Sequence, residues 1–308
     1  MAFGAVRLVP VNGSGPEDVL ADADGRIFTG LADGRILRID PEGGRIDTIA
    51  DTGGRPLGLE FFGDGELLVC DAKAGLLVVE IASGRVRVLT AHALGRRMVF
   101  CNNAAVATDG TVYFSDSSAR FSLDRWRDDL IERTCSGRLL RRTPDGSVDL
   151  VADGLEFANG VALAPDESFV AVAETGARRV LRIGLTAASR DVLAGDLPGF
   201  PDNISTGSDG LIWVTQASPR VPALEVVQNL PAFARGLLRR APSWMQPRPG
   251  RTVGVLGVGA DGAVVHELSG QIDGFAMLTG VRERAGTLYF GSLTGDAVAI
   301  TTLPPASA

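Results

Sequence analysis

Histidine and cysteine are scarce in this 308-residue chain, which holds two of the first and three of the second. Cys70, Cys101 and Cys135 are odd in number and lack metal-ligand spacing. They predict free buried thiols in a reducing compartment rather than a disulfide framework or a zinc site. An excess of positive charge is also missing. Thirty Lys and Arg face 37 Asp and Glu, a net charge of −7, which argues against a nucleic-acid partner. No stretch approaches the ~20 apolar residues that span a bilayer. The opening MAFGAVRLVPVNGSG has neither a long apolar core nor a cleavage site, so a cytoplasmic chain is expected. G-x-S-x-G and P-loop motifs are absent. Gly257–Gly262 (GVGADG) fits G-x-G-x-x-G, but it lies in a hairpin-like context with no helix behind it and reads as a turn. The sequon Asn203-Ile-Ser205 carries little weight in a cytoplasmic chain.

Glycine is abundant, at 39 residues with 16 prolines, which favours many short strands joined by turns. Six runs share one format, a turn with Asp-Gly or its equivalent followed by a β-branched or aromatic stretch. They are RIFTG from Arg26, ELLVCD from Glu66, TVYFSD from Thr111, FVAVAE from Phe169, LIWVTQ from Leu211 and TLYFGS from Thr287. Each is followed by a second strand-like run, such as RILRID from Arg35 or AVAITT from Ala297. The start-to-start spacings are 40, 45, 58, 42 and 76 residues. A unit of ~40–45 residues is the period of propeller blades. The expected fold is therefore an all-β, six-bladed propeller forming one domain over 1–308. The two long intervals predict helical insertions in blades 3 and 5, at about 117–134 and 221–251. The second, which includes Phe233, Leu237, Leu238, Trp244 and Met245, reads as a cap or lid; the alternative is a membrane-surface helix.

Aligning the repeats on their turns exposes a polar register. Seven residues before the turn aspartates Asp24, Asp109, Asp166 and Asp209 stand Glu17, Asn102, Asn159 and Asp202. In blade 2 the same count reaches Leu57, and in blade 6 it falls near Leu278 or Thr279. Taken singly, each Asn or Asp reads as a turn former. Four at one register in four repeats do not. The register opens the strand that lines a propeller's channel, so the four side chains should converge at one mouth. Two carboxylates and two amide oxygens suit a hard cation such as calcium, which accepts mixed oxygen ligands.

The stretches GPEDVLADADGRIFTG, CNNAAVATDGTVYFSDSS, LEFANGVALAPDESFVAVAETGARRVLRI and PGFPDNISTGSDGLIWV resemble the strictosidine synthase-like proteins, across nearly the whole chain. That group belongs to a six-bladed superfamily with gluconolactonases, regucalcin, paraoxonases and diisopropyl fluorophosphatase. The resemblance implies one catalytic Ca2+ in the channel, held by the positions that fall on Glu17, Asn102, Asn159 and Asp202. It also separates activities. The glutamate that true strictosidine synthases use in blade 6 has no counterpart at Ala276–Thr279, and the channel histidine of paraoxonases aligns with Leu57. His92 and His266 sit off the ring as surface or loop residues. A calcium-dependent hydrolase of lactones or related esters is expected, acting on a small molecule with Asp202 as general base or nucleophile. Asn203, Asn103 and Leu57 are candidate accessory or substrate-contacting positions, Asn203 being equally readable as a turn amide. The alternatives are a biosynthetic condensation or isomerisation enzyme and a non-catalytic binding propeller; membrane contact is not expected.

Overall fold

The computed structural model describes residues 1–42, 44–186, 189–242 and 246–304. Six four-stranded antiparallel sheets form the six blades of a propeller, and three short helices lie outside them. Blades 1 to 5 are consecutive in the chain. Their innermost strands are Val19–Ala21, Pro56–Phe62, Cys101–Val106, Ala158–Leu163 and Gly199–Thr206. Blade 6 runs outward from Leu278–Arg284 through Thr287–Ser292 and Ala297–Thr302, and its fourth strand is the N-terminal Arg7–Pro10. Arg7 pairs with Ile300 and Pro10 with Ala297, so the ring is closed by joining its two ends. That closure leaves no unpaired edge between the ends of the ring.

The turns that set the repeat work through their aspartates. Asp109, Asp166 and Asp209 each accept the backbone N–H two residues on, from Thr111, Ser168 and Leu211, at 2.8, 3.0 and 3.0 Å. This fixes each hairpin between inner and second strand. The second strands are apolar because they are covered on both faces by adjacent blades. Val112–Asp116 and Phe169–Glu174 are buried throughout. The core is accordingly a chain of clusters between blades, such as Leu68, Met98, Phe114 and Leu140 between blades 2 and 3.

In five blades the inner strand carries a β-bulge at one place. The register slips between Pro56 and Leu59, Cys101 and Ala104, Ala158 and Val161, Pro201 and Ile204, and Leu278 and Val281. A bulge inserts an extra residue and re-aims side chains. The two residues inside it are Leu57-Gly58, Asn102-Asn103, Asn159-Gly160, Asp202-Asn203 and Thr279-Gly280. In blade 1, Glu17-Asp18 hold the matching place just before Val19.

Both insertions join second to third strands, in blades 3 and 5, as expected. The first holds α1 (Trp126–Glu132), preceded by a short 3-10 turn; the second holds α2 (Pro222–Gln228) and α3 (Ala232–Arg239). Leu130 and Ile131 of α1 and Leu224 and Val227 of α2 pack with Phe100, Phe157 and Phe200 from the blades. Arg239 of α3 pairs with both Asp128 and Glu132 of α1. The helices therefore form a cap, whose outward side leaves Phe233 and Leu237 exposed. Trp244 and Met245 lie outside the described residues. Among the described residues no helix is long and apolar enough to cross a membrane. Cys70 and Cys101 are buried, but Cys135 is exposed, because it follows α1 in the insertion rather than lying in a blade.

Candidate functional site

Under the cap lies a cavity with about 830 Å³ of empty space, its open mouth included. Glu17, Asn102, Asn159 and Asp202 all line it, as does Leu57. In blades 2 to 5 the first residue of the bulge pair lines this cavity, as Glu17 does in blade 1, which is why equal offsets in the repeat lead to one place. Leu57 gives blade 2 an apolar wall there. In blade 6 the position belongs to Thr279, whose hydroxyl donates to the Glu17 carbonyl at 2.8 Å.

The electrostatics of the ring are unbalanced. Glu17 is buried, and its carboxyl is pushed well above the usual range, mainly by removal from water and then by the charges of Asp202 and Asp18. Asp202 is half-buried, and its pKa is pushed up to about 7, again chiefly by desolvation, with Asp18 adding to it and the Asn159 amide opposing. Buried Arg55 favours the Glu17 anion, but its guanidinium is turned to the carbonyls of Gly15 and Pro56. Two carboxylates thus share a site without a paired cation.

The amides sharpen this. Asn102 Nδ2 donates to Ser117 Oγ at 2.9 Å, and Asn159 Nδ2 donates to Thr175 Oγ1 at 3.2 Å, so the nitrogen of each is satisfied. Their Oδ1 atoms are buried without a partner, as is Oδ1 of Asn203. Among the described residues these three amide oxygens are the only buried side-chain oxygens left unpaired. Leaving such an acceptor unpaired costs about 1–3 kcal/mol each. A cation among them would remove that cost and neutralise Glu17 and Asp202 together. No group of three or more His, Cys, Asp or Glu that could hold a metal exists among the described residues. The donors here are of another kind, two carboxylates with amide oxygens, which is the chemistry of a calcium site.

Asn203 is not a turn amide. It is buried on the inner strand of blade 5, and its Nδ2 donates to both Glu17 carboxylate oxygens at 3.1 Å. Asn103 lies elsewhere: it is not among the residues lining the cavity, and its Oδ1 accepts the Val161 N–H at 2.8 Å. That hydrogen bond joins blade 3 to blade 4. The sequence reading missed Asp18 and Arg55. Asp18 is buried beside Glu17, and its Oδ2 accepts the Leu59 N–H at 3.0 Å. Its adjacency to Glu17 in GPEDV was the available signal. Neither histidine touches the ring. His92 is exposed in a two-residue strand, and His266 stacks on Trp213 in the outer part of blade 5.

Comparison with known proteins agrees with this architecture. The family model for the SMP-30/gluconolactonase/LRE-like region matches residues 27–222, and that for the strictosidine synthase-like N-terminal part matches residues 3–39. The adipocyte plasma membrane-associated protein of Mus musculus is 34% identical over 317 aligned residues, covering 94% of this chain and 75% of that protein. Strictosidine synthase-like protein 6 of Arabidopsis thaliana is 32% identical, covering 90% and 76%. The solved gluconolactonase of Xanthomonas campestris superimposes with a TM-score of 0.71 at 18% identity, over 98% of this chain and 91% of the other. Regucalcin of Agrobacterium tumefaciens, described as a calcium-binding protein, gives 0.68 at 13% identity, over 98% and 95%. At those identities the two structures speak for the fold alone. The chain belongs to the SMP-30/gluconolactonase/LRE-like family of six-bladed propellers, with the strictosidine synthase-like N-terminal part at its start.

Proposed function

We propose that this chain is a calcium-dependent hydrolase of lactones or related esters. The observation that carries the reading is the pair of unpaired amide oxygens of Asn102 and Asn159 gathered with Glu17 and Asp202 at the cavity wall, with Asn203, whose amide oxygen is also unpaired, donating to Glu17. Glu17, Asn102, Asn159 and Asp202 would hold the ion, with Asn203 adjoining. A divalent cation bound there supplies positive charge that polarises an ester carbonyl and offsets the charge developing on its oxygen.

The chain's own groups do the rest. Asp202 faces the cavity and accepts a proton from water as the water oxygen bonds to the carbonyl carbon. It returns that proton to the departing alkoxide when the carbon–oxygen bond breaks, so ester and water become acid and alcohol. The backbone N–H of Asp202 donates to Thr215 Oγ1 at 3.2 Å, which holds the bulge and the direction of the carboxylate. The cap helices and Phe100, Phe157 and Phe200 exclude bulk water from the cavity.

The test is a hydrolysis screen over γ- and δ-lactones, aryl esters and organophosphates, with calcium and after its removal by EGTA. Turnover should vanish on chelation and return when calcium is restored. Undiminished activity in protein shown calcium-free by elemental analysis would end the metal-dependent reading.

A further inference from the structure

The wall of the cavity indicates which substrates fit, an inference that rests on the hydrolase reading above. Away from the ring, the cavity is built from aromatic and aliphatic side chains, including Phe100, Phe157, Phe200, Trp126, Ile131 and Leu224. Among the described residues four other side chains with hydroxyl or charged groups line it: Thr175, Ser218, Arg127 and Arg248. Both hydroxyls are already committed. Thr175 Oγ1 donates to the Pro201 carbonyl at 2.7 Å, and Ser218 Oγ donates to the Pro219 carbonyl at 2.9 Å. Among the described residues this wall holds no free hydroxyl or amide to bind the several hydroxyls of a sugar. Burying such hydroxyls unpaired would be costly.

The two arginines are differently placed. Arg127 stands on α1 and Arg248 on the return from α3 to blade 5, so both belong to the cap while the ring belongs to the blades. Among the described residues neither has a hydrogen bond or a carboxylate partner. Arg127 lies over the Trp126 ring, with its guanidinium carbon 5.3 Å from the centroid. Two acids of α1 are engaged elsewhere: Asp128 pairs with Arg125 and Arg239, and Glu132 with Arg120 and Arg239. The cavity therefore presents a cation-binding ring on its blade side, an apolar body, and two uncommitted guanidiniums on its cap side.

We infer that the substrate is an amphiphilic ester or lactone whose apolar body fills the cavity and whose distal anionic group meets Arg127 and Arg248, rather than a polyhydroxylated sugar lactone. Guanidinium recognises a carboxylate or phosphate through paired N–H donors.

Three substrates decide it: the mono-4-nitrophenyl ester of octanedioic acid, 4-nitrophenyl octanoate and glucono-δ-lactone. The carboxylated ester should exceed the neutral one in kcat/KM by about 3- to 10-fold, the range of two solvent-accessible ion pairs. The lactone should be slower than both. In the double variant Arg127→Gln/Arg248→Gln the ratio of the two esters should fall to near one. A wild-type ratio of one or less, a ratio unmoved by the double variant, or preference for the sugar lactone overturns the inference. If no ester or lactone is turned over, the hydrolase reading fails by itself, and calorimetric titration then decides the inference. Decanoate should bind more tightly than 1-decanol and lose that advantage in the double variant. Equal binding, or a preference for gluconate, overturns it.

Discussion

Two rings of residues lie one position apart in the chain and behave in opposite ways. Glu17, Asn102, Asn159 and Asp202 occupy the first place of their pairs and face the cavity, where both Asn oxygens lack partners. Asp18, Gly58, Asn103, Gly160, Asn203 and Gly280 occupy the second place and meet the neighbouring blades. Asp18 accepts N–H from Leu59 across the blade boundary, and Asn103 accepts from Val161 in the same manner. The glycines alternate with these side chains because the adjoining backbone fills the space. A Cβ on Gly160 would stand 2.1 Å from the Ile204 nitrogen. One ring is satisfied and structural; the other is charged, underpaired and poised for a ligand. Asn203 is the exception, because it sits in the second place yet reaches Glu17 and keeps an unpaired oxygen. A functional ring carries unsatisfied groups that only a scaffold already satisfied elsewhere can tolerate.

Substitutions in the two rings should separate activity from stability. The largest effect belongs to Asp202→Asn, where kcat/KM should fall by about 100- to 10,000-fold, the range of a lost general base. Its melting temperature should stay level or rise, since a buried charge disappears; wild-type turnover would remove Asp202 from the chemistry. Next comes Gly160→Ala, which should destabilise the fold on the order of 3 kcal/mol or more through backbone overlap. Urea denaturation measures that, and an unchanged midpoint would contradict the tight contact with blade 5. Asn103→Ala should cost about 1–3 kcal/mol by leaving the Val161 N–H unpaired, with calcium affinity kept within a few fold. Calorimetric titration showing that this variant loses calcium altogether would erase the distinction between the rings.

The smallest effect is in pH dependence. Glu17 and Asp202 have carboxyls raised above their unfolded values, to about 7 for Asp202. The folded calcium-free chain therefore binds more protons than the unfolded one between about 4 and 7, and its stability falls as pH rises through that window. Its melting temperature should be higher at pH 5.5 than at pH 8 by a few degrees, about 2–4 °C per kcal/mol for a larger domain. Added calcium should raise the melting temperature more at pH 8, where both carboxylates are ionised. The same increment at both pH values would mean that these groups do not hold the ion.

The blades and the first-place ring were legible in the sequence because both repeat. Turn aspartates at fixed offsets keep the register, and the bulges preserve it in every blade with a full inner strand. The second-place ring was hidden by its nearness. Nothing in CNNAAV says that Asn102 faces the cavity while Asn103 turns to blade 4, because that division is made by the bulge rather than by residue type. Non-local pairings were hidden as well. The RLVP segment looks like an isolated four-residue strand until Ala297–Thr302 is placed beside it. The insertions were recognisable as helices, but their meeting as a cap depends on ion pairs such as Arg239 with Glu132, between segments far apart in sequence.

The closure of blade 6 by Arg7–Pro10 has a kinetic corollary. Glu17 lies a short step beyond that strand, and its carbonyl is held by Thr279 at the inner edge of blade 6. The carboxylate can take its place only when the ends of the chain have found each other. If the proposed calcium site is real, metal capture should therefore wait on this long-range pairing, and a calcium-sensitive signal would time the closing of the ring.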